Sequence, residues 1–302
     1  MRVGVSLGTA LRRGDAEGVA SVVRQARAAR DAGLDVLTVG DHHATGPMPY
    51  LQNTPVLGRL LAEWDDRPAG CLFLVPLWHP VLMAEQIGTL AELAAGPFVV
   101  QTGLGGGRGQ FRAMGVPIGA RARRLEEGIA VVRALLAGEA VTSEFFGIAD
   151  ARIAPVPSRG VEWWVGADSP PAIERAARLG DCWYANADLT VASAREKLER
   201  YRDACAVLER TPVRLPIRKD VFLAETDAEA RAVGDPLVAA GYRGFDRAAV
   251  AYGDPASVAE QLAPYADLGF TDVILRTMPA PLEAAVRSVT LAGELRAALA
   301  GR

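Results

Sequence analysis

Eight short runs of apolar and β-branched residues alternate with helix-like segments, and this alternation constrains the fold more than any other feature. The runs cover residues 2–7, 35–40, 71–75, 98–102, 161–166, 182–185, 215–224 and 271–276. Runs that are apolar throughout are typical of parallel strands covered by helices on both faces. Eight strand–helix units in 302 residues predict a closed (β/α)8 TIM barrel, and an open Rossmann-like sheet is the alternative.

Two segments interrupt the regular alternation. Residues 141–157, after the fourth predicted helix, carry aromatic residues and prolines without a helical period, which predicts an excursion such as a hairpin. Residues 225–253 form a long connection after the seventh strand and are expected to contain a helix of their own. The whole chain, residues 1–302, is predicted to be a single domain.

Charge and cysteine content narrow the class of protein. The chain has 33 basic and 36 acidic residues, a formal net charge of −3, and no basic tract, so we expect neither nucleic acid nor a membrane surface as partner. No apolar run approaches the ~18–20 residues of a membrane span, and the chain starts without a signal peptide, which predicts a cytoplasmic protein. The three cysteines lack metal-ligand spacing and are expected to be reduced thiols.

An acid and two of the three histidines, Asp41, His42 and His43, follow the second predicted strand. Polar residues at the carboxyl ends of parallel strands form the active sites of α/β barrels. A histidine at this position can hydrogen-bond a reacting group or move a proton near neutral pH. A purely structural role in the loop stays open. So does a metal site, which the distant His79 and the absence of a His-x-His pattern disfavour.

A glycine-rich loop, residues 103–109, follows the fourth predicted strand. The dinucleotide-binding fingerprint requires a loop that opens directly into a helix, followed by a strand that ends in an acid, and this context is missing. Because glycine has no Cβ atom, the loop favours close backbone approach to a flat cofactor. A flexible loop is the alternative.

The turn Gly166–Ser169 joins the fifth predicted strand to a helix that begins at Pro170. Free backbone N–H groups of Ala167, Asp168 and Ser169, together with the helix dipole, predict a phosphate site, although the carboxylate of Asp168 does not favour an anion. An ordinary capped helix is the alternative.

Arg218 and Arg276 lie in or at the ends of the seventh and eighth predicted strands, where barrels often bind phosphate. Arg276 is therefore a candidate cofactor-binding residue. Since an arginine in the core needs a charge partner, pairing with a nearby carboxylate is the alternative.

Six motifs resemble the bacterial luciferase-like monooxygenase family of flavin- and deazaflavin-dependent oxidoreductases, in the same order over nearly the whole chain. They are Gly40-Asp41-His42-His43, then Val75-Pro76-Leu77-Trp78-His79-Pro80-Val81 with Ala84-Glu85-Gln86, then Gln101-Thr102-Gly103-Leu104-Gly105, then Gln110-Phe111-Arg112-Ala113-Met114-Gly115-Val116-Pro117, then Trp164-Val165-Gly166-Ala167-Asp168-Ser169, and Ala176-Ala177-Arg178-Leu179-Gly180-Asp181-Cys182-Trp183.

The resemblance implies a TIM barrel with a cofactor lying across its carboxyl-end mouth. It maps the family's mouth histidine onto His42, with His43 beside it, and places the cofactor phosphate at Gly166–Ser169. The strand-four motif implies cofactor contacts at Thr102, Gly103 and Gly105.

A non-proline cis peptide is frequent in strand three of this family. The resemblance places it near Ala69-Gly70-Cys71, which makes Gly70 and Cys71 candidate cofactor-binding residues. The chain also departs from the family pattern. Gly106 replaces the acid of sugar-phosphate dehydrogenases, Trp78 replaces an arginine, and the usual Gly-Gly of the phosphate turn is Gly166-Ala167.

The cofactor implied by the resemblance is coenzyme F420, with FMN as the alternative. Asp-His after strand two resembles the deazaflavin branch, whereas Glu-His is common in the FMN branch. We therefore expect hydride transfer between coenzyme F420 and a small organic substrate, with His42 moving the accompanying proton and Asp41 orienting His42. An FMN-dependent monooxygenase and a non-catalytic cofactor-binding barrel are the alternatives. Family analogy suggests a homodimer.

Overall fold

The computed structural model describes residues 1–11, 17–154 and 156–300. Its strands are β1 (Arg2–Leu7), β2 (Leu37–Val39), β3 (Ala69–Phe73), β4 (Phe98–Thr102), β5 (Val141–Ser143), β6 (Ile148–Ala151), β7 (Val161–Gly166), β8 (Cys182–Tyr184), β9 (Pro216–Leu223), β10 (Ala251–Gly253) and β11 (Asp272–Thr277). Its helices are α1 (Val19–Asp31), α2 (Asn53–Leu61), α3 (Pro80–Leu93), α4 (Arg108–Ala113), α5 (Arg121–Leu136), α6 (Pro170–Leu179), α7 (Val191–Val207), α8 (Asp227–Ala239), α9 (Pro255–Leu268) and α10 (Leu282–Leu299). A helix cap that the sequence predicts at Asp15 lies outside the described residues.

The chain divides into two compact units. The first unit comprises Met1–Gly8, Glu17–Thr38 and Gly166–Arg302, and the second comprises Thr9–Ala16 and Val39–Val165. Both are built from parallel strands and helices, so the predicted α/β class is confirmed. The single domain predicted for residues 1–302 stays a prediction.

In the first unit, four parallel strands are hydrogen-bonded in the order β10-β9-β11-β1. The pairing of β11 with β9 places Arg276 directly opposite Asp220. Ala185, just after β8, bridges to Ile217 of β9. The sequence predicts β1, β9 and β11 of this unit because these strands are almost continuously buried, although β9 carries the charged residues Arg218, Lys219 and Asp220.

In the second unit, the parallel order is β3-β4-β7, with Ala69 opposite Phe98 and Phe98 opposite Val161. Gly70 permits the close approach of β3 to β4, because a Cβ atom there would lie 1.9 Å from the Val99 carbonyl oxygen.

The non-proline cis peptide expected at residues 69–71 is wrong. Among the described residues, the cis bond is Gly46–Pro47. Residues 69–73 pair in unbroken parallel register with β4, which is the pairing of ordinary extended backbone with trans peptide bonds.

The two predicted interruptions take definite forms. β5 and β6 make an antiparallel hairpin in the excursion, as predicted. The long connection contains α8, also as predicted, and in addition the three-residue strand β10, which pairs with β9. The sequence of β10, Ala-Tyr-Gly, forms no run of apolar and β-branched residues by which a strand could be recognised.

Candidate active site

Asp41 is the centre of a buried hydrogen-bond network in the second unit. Its side chain follows β2 and is fully buried. Its Oδ2 atom accepts hydrogen bonds from the Leu74 backbone N–H at 2.7 Å and from the Trp78 indole N–H at 2.8 Å. The Nε2 atom of His43 lies 3.2 Å from Oδ2 and 3.1 Å from Oδ1. These donors compensate the carboxylate for the water that burial removes.

The histidine that Asp41 holds is His43, so the prediction that Asp41 orients His42 is wrong. Side chains two apart in extended backbone point to the same side, which brings residues 41 and 43 together and turns residue 42 away. His43 is 8% exposed. It also packs edge-on against Trp78, with ring centroids 5.4 Å apart. The carboxylate and the indole together fix the imidazole of His43.

His42 is half-buried and is linked to His43 through Gln110 of α4. The Oε1 atom of Gln110 accepts a hydrogen bond from the His43 backbone N–H at 3.0 Å. This bond orients the amide so that its Nε2 atom faces His42 Nδ1 at 3.5 Å. Since an amide nitrogen only donates, this contact is a hydrogen bond when His42 Nδ1 carries no proton. His42 also packs edge-on against Tyr50 at 4.6 Å.

Gln110 is the functional residue that the sequence reasoning missed. It lies 67 residues from His43, and no local pattern connects the two. The available signal was the family motif that begins at Gln110, which was used for the resemblance but not for the site.

Cys71 lies in β3 and is fully buried. Burial raises the pKa of its thiol well above the usual value, and the negative charge of Asp41 raises that pKa further. The thiol is therefore protonated near neutral pH and adds no charge to the network. Gly70, its neighbour, is also buried, and its contact with β4 accounts for its lack of a side chain.

Three buried hydroxyl groups of the second unit, Thr9 Oγ1, Tyr50 Oη and Thr102 Oγ1, make no hydrogen bond within the described part of the chain. Leaving a buried hydroxyl without a partner costs about 1–3 kcal/mol. A bound molecule with polar edges would supply the partner. Tyr50 already contacts the ring of His42, which places one of these hydroxyls beside the histidine.

The glycines after β4 serve local geometry in two different ways. Gly103 donates its N–H to the Phe73 carbonyl at 2.9 Å. A Cβ atom at Gly103 would come within 3.1 Å of Leu74, and Gly105 has a φ of +69°, which other residues adopt at a cost. Gly106 has open space around it. Packing would therefore allow an acidic side chain at this position, where the sugar-phosphate dehydrogenases have one.

The turn Gly166–Ser169 belongs to the first unit and leads from β7 into α6. Within the described chain, the backbone N–H groups of Ala167, Asp168 and Ser169 make no hydrogen bond. Ser169 occupies the N-cap position of α6, but its side chain makes no capping hydrogen bond. The alternative of an ordinary capped helix therefore holds for the position of Ser169 and not for the capping bond. The ammonium group of Lys197 binds the Asp168 carboxylate, which offsets the negative charge beside the turn.

Arg218 and Arg276 both lie near Asp220 in the first unit. Arg218 Nε is 3.2 Å from Asp220 Oδ1, so the alternative of pairing with a carboxylate holds for Arg218. Arg276 is half-buried and faces Asp220 across the β11–β9 pairing.

Within residues 1–11, 17–154 and 156–300, no cluster of three or more His, Cys, Asp or Glu side chains is placed to hold a metal ion. Over the same residues, none of the helices combines the length and the apolar character that crossing a membrane requires.

Comparison with known proteins identifies the class. The family model of the luciferase-like monooxygenases matches residues 1–249. A monooxygenase of Streptomyces bottropensis has the same fold, with a TM-score of 0.83 and 20% identity over 97% of this chain and 98% of that one. The chain therefore belongs to the luciferase-like monooxygenase family, and the predicted resemblance and TIM-barrel fold are confirmed.

Curated relatives divide between two cofactors. An F420-dependent glucose-6-phosphate dehydrogenase of Microbacterium testaceum is 28% identical over 82% of this chain and 84% of its own length. An FMNH2-dependent dimethylsulfone monooxygenase of Pseudomonas fluorescens is 28% identical over 68% of this chain and 56% of its own length. Another F420-dependent relative is matched over only 48% of its length. The homodimer and the cytoplasmic location stay predictions.

Proposed function

We propose that the chain is an oxidoreductase that transfers hydride between coenzyme F420 and a small organic substrate. The observation that carries the proposal is the network of Asp41, His43, Gln110 and His42, which holds a half-buried imidazole just after β2. When bound, the cofactor supplies a ring that accepts or donates hydride. FMN is the alternative cofactor, since relatives of both kinds match the chain.

His42 is the proposed proton carrier. As the acid, His42 is an imidazolium that gives one proton to a substrate oxygen when hydride arrives at the adjacent carbon, and it becomes the neutral imidazole. In the reverse direction, the neutral imidazole takes the proton of a substrate hydroxyl as hydride leaves the adjacent carbon. Gln110 Nε2 lies 3.5 Å from His42 Nδ1, against one edge of this ring. Asp41 is a positioning residue for the side chain of His43, and Gln110 links the His43 backbone to His42.

The second unit also fits the polar edge of a flavin or deazaflavin ring. Thr102 Oγ1 and Tyr50 Oη are buried and have no partner among the residues that the structure describes, and either can donate to a ring carbonyl or accept from a ring N–H. Among the glycines after β4, Gly106 leaves the backbone bare for a flat molecule, whereas the Cβ positions of Gly103 and Gly105 face Leu74 and Phe111. Separately, we propose that the amides of Ala167–Ser169 in the first unit bind a phosphate group.

The test compares alanine variants of His42, the proposed proton carrier, and of His79. His42→Ala should lower kcat for F420 reduction or oxidation by about 10²–10⁴-fold, the usual contribution of a positioned acid or base, with cofactor affinity changed by less than about threefold. His79→Ala is the matched control, because His79 is exposed and lies at the start of α3 outside the network. Full turnover by His42→Ala would refute the proposed role.

Oxygen separates the two cofactor alternatives. An F420-dependent enzyme should turn over equally well with and without air when tested with a panel of small alcohols, aldehydes and ketones. Turnover that requires reduced FMN and consumes O2 would instead establish the monooxygenase. If the protein binds a cofactor but shows no turnover in any of these assays, the result would favour the alternative of a non-catalytic cofactor-binding barrel.

A further inference from the structure

A second buried aspartate, Asp220 of β9, is surrounded by cationic side chains of the first unit. Asp220 is fully buried. Its Oδ1 atom lies 3.2 Å from Arg218 Nε, and its Oδ2 atom lies 3.3 Å from Arg243 Nη1. Tyr242 donates its hydroxyl to the same Oδ2 at 2.9 Å. One carboxylate therefore already holds two guanidinium groups and a phenol.

Arg276 adds a third positive charge without a carboxylate of its own. It faces Asp220 in the register of β11 with β9, and it makes no hydrogen bond or ion pair within residues 1–11, 17–154 and 156–300. Its charge reaches the other members of the cluster. Burial raises the pKa of Tyr242 and Arg276 opposes that rise, while burial lowers the pKa of Arg243 and Arg276 adds to the lowering. Three guanidinium groups against one carboxylate leave a net charge of about +2.

The loop that carries Arg243 is bent to bring its side chain to this point. Arg243 has a φ of +52° between two glycines, Gly241 and Gly244, with φ values of +77° and +71°. A non-glycine residue in the left-handed region is uncommon and costs free energy. Burial lowers the pKa of Arg243, Asp220 raises it, and Arg218 and Arg276 lower it again. The fold therefore brings Arg243 close to Arg218 and Arg276, at a cost in free energy from its left-handed backbone and from the repulsion of like charges.

We propose that Arg276, Arg243 and Arg218 bind a doubly charged oxyanion of the substrate, such as a phosphate ester or a dicarboxylate. A net positive cluster that is half-buried is costly unless an anion completes it, and guanidinium groups match oxyanions in shape and charge. Asp220 and Tyr242 are positioning residues that hold Arg218 and Arg243 apart. This assignment rests on the proposed function only in naming the anion as part of a substrate. In this proposal Arg276 binds the substrate and not, as the sequence had predicted, the cofactor. The amides of Ala167–Ser169 remain the proposed site for the cofactor phosphate.

The test measures anion binding directly, without turnover. Isothermal titration of the full chain with inorganic sulfate and phosphate at constant ionic strength should show binding, and Arg276→Gln should weaken it at least tenfold. Arg231→Gln is the matched control, because Arg231 is 66% exposed and lies on α8. Binding that is absent from the wild type, or equal in Arg276→Gln and Arg231→Gln, would overturn the site. Succinate and phosphate, compared in the same way, distinguish a dicarboxylate from a phosphate ester.

A second titration separates this proposal from the proposed function. Cofactor affinity should be the same in the wild type and in Arg276→Gln. If Arg276→Gln loses cofactor affinity and sulfate competes with the cofactor, the arginines serve the cofactor and the substrate assignment is refuted. If no cofactor binds the wild type while sulfate still does, the proposed function fails and the anion site stands.

Discussion

Asp41 in the second unit, just after β2, and Asp220 in the first, within β9, are both fully buried aspartates, yet their surroundings are opposite. Asp41 meets a backbone amide, an indole and an imidazole. Asp220 meets two guanidinium groups and a phenol, with Arg276 facing it from β11. The same side chain is balanced by hydrogen-bond donors in one unit and by an excess of positive charge in the other.

The comparison indicates that the groups around a buried carboxylate, and not the carboxylate itself, determine what the site can do. Around Asp41 the carboxylate is satisfied by donors that it also orients, which suits a network that holds a proton carrier in place. Around Asp220 the carboxylate neutralises only one of three cations, which suits a site that an anion completes. The following predictions test this contrast.

The largest effect is expected at Asp220. Asp220→Asn leaves three guanidinium groups without a counter-charge and should lower the free energy of unfolding by about 3–5 kcal/mol, measured by urea denaturation. Combining it with Arg276→Gln should restore part of this loss, because one repelling charge is removed. A loss under about 1 kcal/mol would show that the cluster is not held by Asp220.

A smaller effect is expected at Asp41. Asp41→Asn keeps one acceptor oxygen for the Leu74 and Trp78 N–H groups, so the loss should be about 1–3 kcal/mol in the same denaturation assay. A loss as large as that of Asp220→Asn would abolish the contrast between the two acids.

Cys71 gives the Asp41 site a distinct dependence on pH. The pKa of its thiol is raised in the folded protein, so above the ordinary thiol pKa of about 8.5 the unfolded chain has lost a proton that the folded chain retains. Stability must therefore fall as pH rises above about 8.5, by up to about 1 kcal/mol by pH 9.5. Urea denaturation at pH 7.5 and 9.5 should show this fall to be smaller in Cys71→Ala. Equal falls in the two proteins would contradict the assignment.

The smallest effect on stability is expected at Arg276. Because Arg276 makes no ion pair within the described chain, Arg276→Gln should change the free energy of unfolding by less than about 0.5 kcal/mol. Arg218→Gln, which breaks a contact with Asp220, should cost about 1–3 kcal/mol. A large loss from Arg276→Gln would show that this residue has a structural role rather than a ligand-binding one.

The strands were the most predictable part of the molecule. Residues 2–7, 98–102 and 161–166 were predicted with their observed bounds, because buried parallel strands are long apolar runs that end at polar or glycine residues. β10 was missed because its three residues owe their extended form to pairing with β9.

The site was predictable only in part. The position of Asp41, His42 and His43 after β2 follows from the rule for parallel strands. The choice of His43 over His42 could have been made from the two-residue spacing, but the contacts of Gln110 and Trp78 depend on where α4 and the loop before α3 pack. The Asp220 cluster depends on Arg243, whose loop conformation no sequence pattern indicates.

The most direct test of the account is a binding titration of coenzyme F420 and FMN against the wild type and Thr102→Val. Valine keeps the shape of threonine and removes only the hydroxyl that lacks a partner, so stability should be unchanged or higher. The account predicts that the wild type binds coenzyme F420 and that Thr102→Val binds it about 3–10-fold more weakly. Failure of the wild type to bind either cofactor, or equal binding by the two proteins, would contradict it.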